Sequence, residues 1–153
     1  MFRADTKPAV RMVNYENSIV IHASASEVFA YVNEPTTIPD WIVGMIEVRN
    51  VVGMGAGQQY EWTFKMVGIQ LRGQTVVVDY ILNQCSTHQT IGMISSSWTT
   101  TIEPHEDGAK LNIKIEYTLP VPVLGKLAEH LTVRRNARDL DSSLLNVKEA
   151  LEG

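Results

Sequence analysis

A chain of 153 residues has the length of one ordinary domain and is long enough to bury a core. Its 44% hydrophobic and 20% charged residues make a globular composition, and a net charge of -4 removes the electrostatic case for nucleic acid. The single cysteine, Cys85, excludes an internal disulfide and cannot build a zinc site alone.

The opening "MFRADTKPAV" has no apolar stretch for a signal peptide, and no later run approaches the ~20 residues of a membrane span. The expectation is a soluble cytoplasmic protein. No repeat, low-complexity tract or linker divides it, so residues 1–153 read as one domain. "MVNYENSIVIHA" reads as a strand with Val13, Tyr15, Ile19 and Ile21 on one face. "SASEVFAYVNEP" follows as a short helix. Ser24 or Ser26 caps it, Glu27 sits in its first turn, and Asn33-Glu34-Pro35 ends it. Val28, Phe29 and Val32 are its buried stripe. "TTIPDWIVGM" is a second helical turn, with Pro39 near its start and Trp41 as anchor.

From Met45 to Pro120 strands alternate with turns. "MIEVRNVVG" and "QQYEWTFKMVG" are joined by "GMGAG", a hairpin loop rather than a phosphate loop, because a strand and not a helix follows it. "IQLRGQTVVVDYILNQ" carries an expected bulge at Gly73, where the apolar phase becomes less regular. "THQTIGMIS" and "SSWTTTIEP" come next, then "HEDG" as a hairpin turn. "AKLNIKIEYTLP" is the cleanest strand, with Leu111, Ile113, Ile115, Tyr117 and Leu119 alternating against polar residues. The remainder, roughly Val123 to Leu151, is one long helix. The order predicts an α+β fold, a curved antiparallel sheet with a helix packed on one face.

That helix changes face. Val133, Ala137, Leu140, Leu144, Val147 and Leu151 form one stripe, and Leu124, Leu127 and Leu131 form a second, roughly opposite. Either the helix breaks near Thr132, or its front half overhangs a cavity mouth or docks a partner through that leucine patch. Run straight, it would turn Lys126 and His130 inward.

Chemistry is sparse. His105, Glu106 and Asp107 sit in a tight turn without partners at ligand spacing, and the four histidines form no cluster, so neither a metal nor a cofactor is expected. Asp79 and Tyr80 on one strand and His130 on the helix are the weak candidates for an acid/base set meeting across a cavity. Arg134, Arg135 and Arg138 read as a solvated face pairing with Asp139 and Asp141, and an anionic-membrane contact is the alternative. "YEWTFKM" is the most telling stretch. Its Tyr60, Trp62, Phe64 and Met66 alternate with Glu61, Thr63 and Lys65, and the bulk of that face suits either a core or the wall of a cavity.

"SIVIHASASEVFAYVNEPTTIPDW", "GMGAGQQYEWTFKMVG" and "YTLPVPVLGKLAE" followed by "DSSLLNVKEALE" together resemble the SRPBCC superfamily, from about Asn17 to Glu152. The bacterial polyketide cyclase/dehydrase-like group within it, related to START-type lipid carriers, is the nearest in pattern. The resemblance implies a helix-grip fold, a seven-stranded antiparallel sheet wrapped around the C-terminal helix and a hydrophobic cavity. It carries no catalytic motif over to this chain. The reading is a binding module for a lipid, quinone or polyketide, working as monomer or homodimer. Trp41, Tyr60, Trp62, Phe64, Met66, Tyr80, Trp98 and Tyr117 would form its wall, with His130 at the mouth. The alternatives are a cyclase or dehydratase using Asp79, Tyr80 or His130, and an interaction protein using Leu124, Leu127 and Leu131.

Overall fold

The fold was taken from a computed structural model, which describes residues 11–66, 68–119 and 126–153; the side chains of residues 11, 119 and 126–130 lie outside the description. Seven antiparallel strands make one sheet: β1 (Arg11–Ile21), β2 (Met45–Val52), β3 (Gln59–Met66), β4 (Ile69–Ile81), β5 (Cys85–Gly92), β6 (Ser96–His105) and β7 (Gly108–Leu119). Their order is β1-β7-β6-β5-β4-β3-β2, so β2 to β7 form a meander that returns to β1. Helices α1 (Ala25–Val32) and α2 (Ile38–Trp41) carry the chain from one sheet edge to the other, and α3 (Lys126–Glu152) packs on the sheet. The result is the expected α+β helix-grip architecture.

The local signals act as their chemistry requires. Ser24 accepts a hydrogen bond from the Glu27 N–H, and the Glu27 carboxylate accepts one from the Ser24 N–H, a capping box that fixes where α1 begins. Val28, Phe29 and Val32 are buried beneath it. In β7, Leu111, Ile113, Ile115 and Tyr117 all point into the core, while Lys110, Lys114 and Glu116 face water. Alternation of this kind fixes register, because a one-residue slip would expose every one of those apolar groups.

The bulge expected at Gly73 lies elsewhere. Gly73 pairs in register with Trp62 on one side and Gly92 on the other. The irregularity falls between Val77, opposite His88, and Asp79, opposite Thr87, which makes Val78 the extra residue. Gly73 is glycine for a different reason. A Cβ there would meet Trp62 Cζ2 at 2.5 Å and the Ile91 carbonyl oxygen at 2.6 Å, so the indole lies directly over the bare backbone.

Helix α3 runs without interruption through Thr132. Its two faces differ sharply there: Leu131 is 59% exposed and Thr132 only 1%. Leu140, Leu144 and Val147 are buried against the sheet, with Val133 and Leu151 packed at the margin of the core. Leu124 and the side chains of Leu127 and Lys126 lie outside the described residues, so of the second leucine stripe only Leu131 is placed. Across the described residues no helix is long and apolar enough to cross a membrane.

Candidate functional site

Between the inner face of the sheet and α3 lies a chamber of about 140 Å³. That is smaller than the several hundred Å³ usual for small-molecule sites, because aromatic rings from several elements reach into it. Strands β3, β6 and β7 supply Tyr60, Trp62, Phe64, Met66, Trp98 and Tyr117, and α2 supplies Trp41. The alternation of β3 is what aims four of these inward, while Glu61 and Lys65 leave on the other side. Ile94, Ile115 and Leu140 complete the apolar wall.

Polar groups also line the chamber, and they bond to one another. The Asn33 side chain donates from Nδ2 to the Phe29 carbonyl at 3.0 Å, which turns its Oδ1 toward His88 Nε2, also at 3.0 Å. His88 Nε2 therefore carries the imidazole proton, and Nδ1 accepts from the Tyr60 hydroxyl at 3.0 Å. Nearby, Thr75 Oγ1 accepts from Trp62 Nε1 at 3.0 Å. The relay thus runs in one direction, from the Tyr60 hydroxyl through His88 and Asn33 to the Phe29 carbonyl, with the Trp62–Thr75 pair beside it.

Burial decides the charge states along it. Desolvation pushes His88 down from 6.5 to about 4, so the ring is neutral at pH 7. It pushes the Tyr60 hydroxyl up, against a smaller opposing effect of the nearby Thr75 hydroxyl. Thr90 and Ser96 share a further hydrogen bond within the wall. From α3, Asn136 Nδ2 donates to the Tyr117 hydroxyl at 3.0 Å. The Ser143 hydroxyl donates to the Asp139 carbonyl at 2.7 Å and accepts from the Val43 N–H at 2.9 Å, joining the turn after α2 to the helix.

Seven residues singled out in the sequence as wall are thus brought together: Trp41, Tyr60, Trp62, Phe64, Met66, Trp98 and Tyr117. Tyr80 lies outside the chamber, with its ring edge-on to Phe29 at 5.2 Å between centroids. Asp79 is exposed. Unbroken alternation from Leu71 would have turned Asp79 inward, but the extra residue Val78 reverses the phase and sends both Val78 and Asp79 outward. His130 has its side chain outside the described residues, so no acid/base set of these three is placed. Polar wall residues not anticipated include Thr75, His88, Thr100, Asn136, Asp139 and Ser143, with Asn33 holding His88 from behind. Asn33 reads as a helix stop, and Ser86, His88 and Thr90 on the inner face of β5 carry no apolar signal in the sequence.

A sheet gripping a long helix over an apolar chamber defines a helix-grip protein with the geometry of a ligand container. A family profile described as polyketide cyclase / dehydrase and lipid transport matches residues 12–152, and the chain belongs to that family, within the SRPBCC superfamily. Several solved structures share the fold. TTHA0849 from Thermus thermophilus is 16% identical with a TM-score of 0.77, over 93% of this chain and 97% of that one. The Zhui aromatase/cyclase from Streptomyces sp. R1128 is 13% identical with a TM-score of 0.71, over 94% of each chain. The di-domain ARO/CYC StfQ from the steffimycin biosynthetic pathway is 15% identical with a TM-score of 0.74, over 92% of this chain and 51% of that one. No curated protein matches the chain.

Proposed function

We propose that this protein binds an apolar small molecule in the chamber between the sheet and α3. The observation that carries the reading is the wall itself. Trp41, Tyr60, Trp62, Phe64, Trp98 and Tyr117 surround space that they do not fill. A chamber of about 140 Å³ is close in size to engineered apolar cavities of ~150 Å³ that take up benzene, so one ring or a short branched chain fits without rearrangement. The family description, which joins cyclases and dehydrases to lipid transport, supports an apolar or polyketide-like cargo.

The test uses an uncharged probe. Toluene, a single ring, should bind in a calorimetric titration. Trp62→Ala should change that binding in a folded protein. Thr100→Leu, which enlarges a buried side chain of the wall, should weaken toluene at an unchanged unfolding temperature. Indifference of toluene to both substitutions would refute the reading.

A second reading, a cyclase or dehydratase, is favoured by one observation, the Tyr60–His88–Asn33 relay bordering the chamber. A neutral imidazole whose tautomer is fixed on one side, and whose other nitrogen accepts from a phenol, has the form of an acid/base pair. Turnover of a polyketide-like substrate that is lost in both Tyr60→Phe and His88→Gln, with binding retained, would distinguish catalysis from carriage.

A further inference from the structure

The chamber has little to offer an ionised acidic group on a ligand, because no lysine or arginine among the described residues lines it. The Tyr60 hydroxyl is bonded to His88, whose other ring nitrogen is bonded to Asn33, the Trp62 indole N–H to Thr75, and Thr90 to Ser96. A ligand that placed an oxygen among them would break one of those bonds or leave its own oxygen unpaired, which is costly in a dry site. Among the described residues the Trp41 Nε1–H is buried without a partner, but no cation lines the apolar space, so an ionised acidic group on the ligand has to lie outside it.

The chamber has one direction in which polar character rises. A second hollow of about 250 Å³ lies directly beside it, the two sharing Val43, Met66, Asn136 and Asp139 as lining. Its other lining includes Arg135 on α3 and Lys65 at the end of β3, both exposed, which opens this hollow to solvent. The Asp139 carboxyl is half-buried there. Desolvation raises its affinity for a proton, and Arg135 and Arg138 oppose that. Two guanidinium groups thus act on one carboxylate, and Lys65 adds a third cation near the same rim. Positive charge is in excess at this end.

We propose that the ligand is an anionic amphiphile, with a ring-sized apolar body in the chamber and a carboxylate or equivalent oxyanion at the mouth beside Arg135 and Asn136. Arg135 presents planar paired donors that suit a carboxylate. Asn136, which uses one amide hydrogen on Tyr117, has a second to donate. The anion stays in contact with water while the ring leaves it, so neither end is buried unpaired. This inference rests on the chamber being the binding site.

Calorimetric titration with three matched probes tests it: 4-phenylbutyrate, 4-phenylbutanol and 4-phenylbutylammonium. The carboxylate should bind about tenfold tighter than the alcohol, the low end of what a charge-assisted hydrogen bond contributes, and the ammonium should bind weakest. The preference should shrink as salt is raised. Arg135→Gln should abolish the preference and leave the alcohol's affinity unchanged, whereas Arg72→Gln, an exposed position on β4, should preserve it. Equal affinity for acid and alcohol, or a preference that survives Arg135→Gln, would overturn the anionic assignment and leave the chamber reading standing. Failure of all three probes to bind would overturn both.

Discussion

Replacing Gly73 by alanine should destabilise the protein, although the usual effect has the opposite sign. Alanine in a strand interior is ordinarily better than glycine by roughly 0.5–1 kcal/mol, because it has less backbone freedom to lose. Here the added methyl would meet Trp62 Cζ2 at 2.5 Å, Trp62 Cη2 at 2.8 Å and the Ile91 carbonyl oxygen at 2.6 Å. The carbonyl belongs to a paired strand and cannot move far, so the indole has to move. Its Nε1–H then gives up the 3.0 Å hydrogen bond to Thr75. Overpacking costs about 1–3 kcal/mol and a buried donor left unpaired about 1–3 more, so the net loss should be about 1–5 kcal/mol after the backbone gain. Urea unfolding measures this as a lowered midpoint at constant slope. A double-mutant cycle with Trp62→Phe isolates the cause, since the smaller ring lacks the two clashing atoms. In that background Gly73→Ala should cost at least about 1 kcal/mol less. An unchanged or raised midpoint for Gly73→Ala, or an equal cost in both backgrounds, would show that the indole does not rest on Gly73.

Acid should reveal His88. Its folded pKa of about 4 lies below the ordinary 6.5, so the unfolded chain takes up the proton first. The stability gained by folding the neutral ring is therefore intact above pH ~6.5 and lost as pH falls toward ~4, a step on the order of 3 kcal/mol. His88→Gln should flatten that part of the stability–pH curve, and parallel curves for the two proteins would contradict the assignment. Ser143→Ala should cost about 1–3 kcal/mol of stability, read as a lowered urea midpoint, because the Val43 N–H loses the hydroxyl that accepts its hydrogen bond. An unaltered midpoint would mean that water substitutes for the serine and that the link between the α2 turn and α3 contributes nothing.

The fold was legible because its elements announce themselves locally. Ser24 and Glu27 lie three residues apart and cap α1 without help from anything distant. Leu111, Ile113, Ile115 and Tyr117 record in their spacing the face on which β7 is buried. The inward rings of β3 were legible for the same reason. Gly73 was misread because an irregular phase and a missing side chain look alike in sequence. The glycine accommodates Trp62 from the neighbouring strand, and the bulge sits at Val78 inside the run "TVVVDY", where four apolar or β-branched residues in a row conceal which one is surplus.

The hidden part of the site follows from the same logic applied to β5. Period-two reading assigns the apolar side of a strand to the interior, yet Ser86, His88 and Thr90 face inward while Ile91 and Met93 are exposed. Thr90 is bonded to Ser96, Ser86 Oγ is buried without a partner among the described residues, and His88, the largest of the three, is tolerated by pairing with residues remote in the chain. His88 is held by Tyr60, 28 positions earlier, and by Asn33, 55 positions earlier. With both ring nitrogens paired, the burial penalty that would push the imidazole to the surface is largely offset. A strand face can then be polar in sequence and closed to ligand oxygen in space. The consequence reaches the ligand. Because His88 and Tyr60 are committed to one another and no cation among the described residues lines the chamber, the proposed ligand would be selected there by shape and apolar contact, and its charge at the hollow lined by Arg135, Asn136 and Asp139.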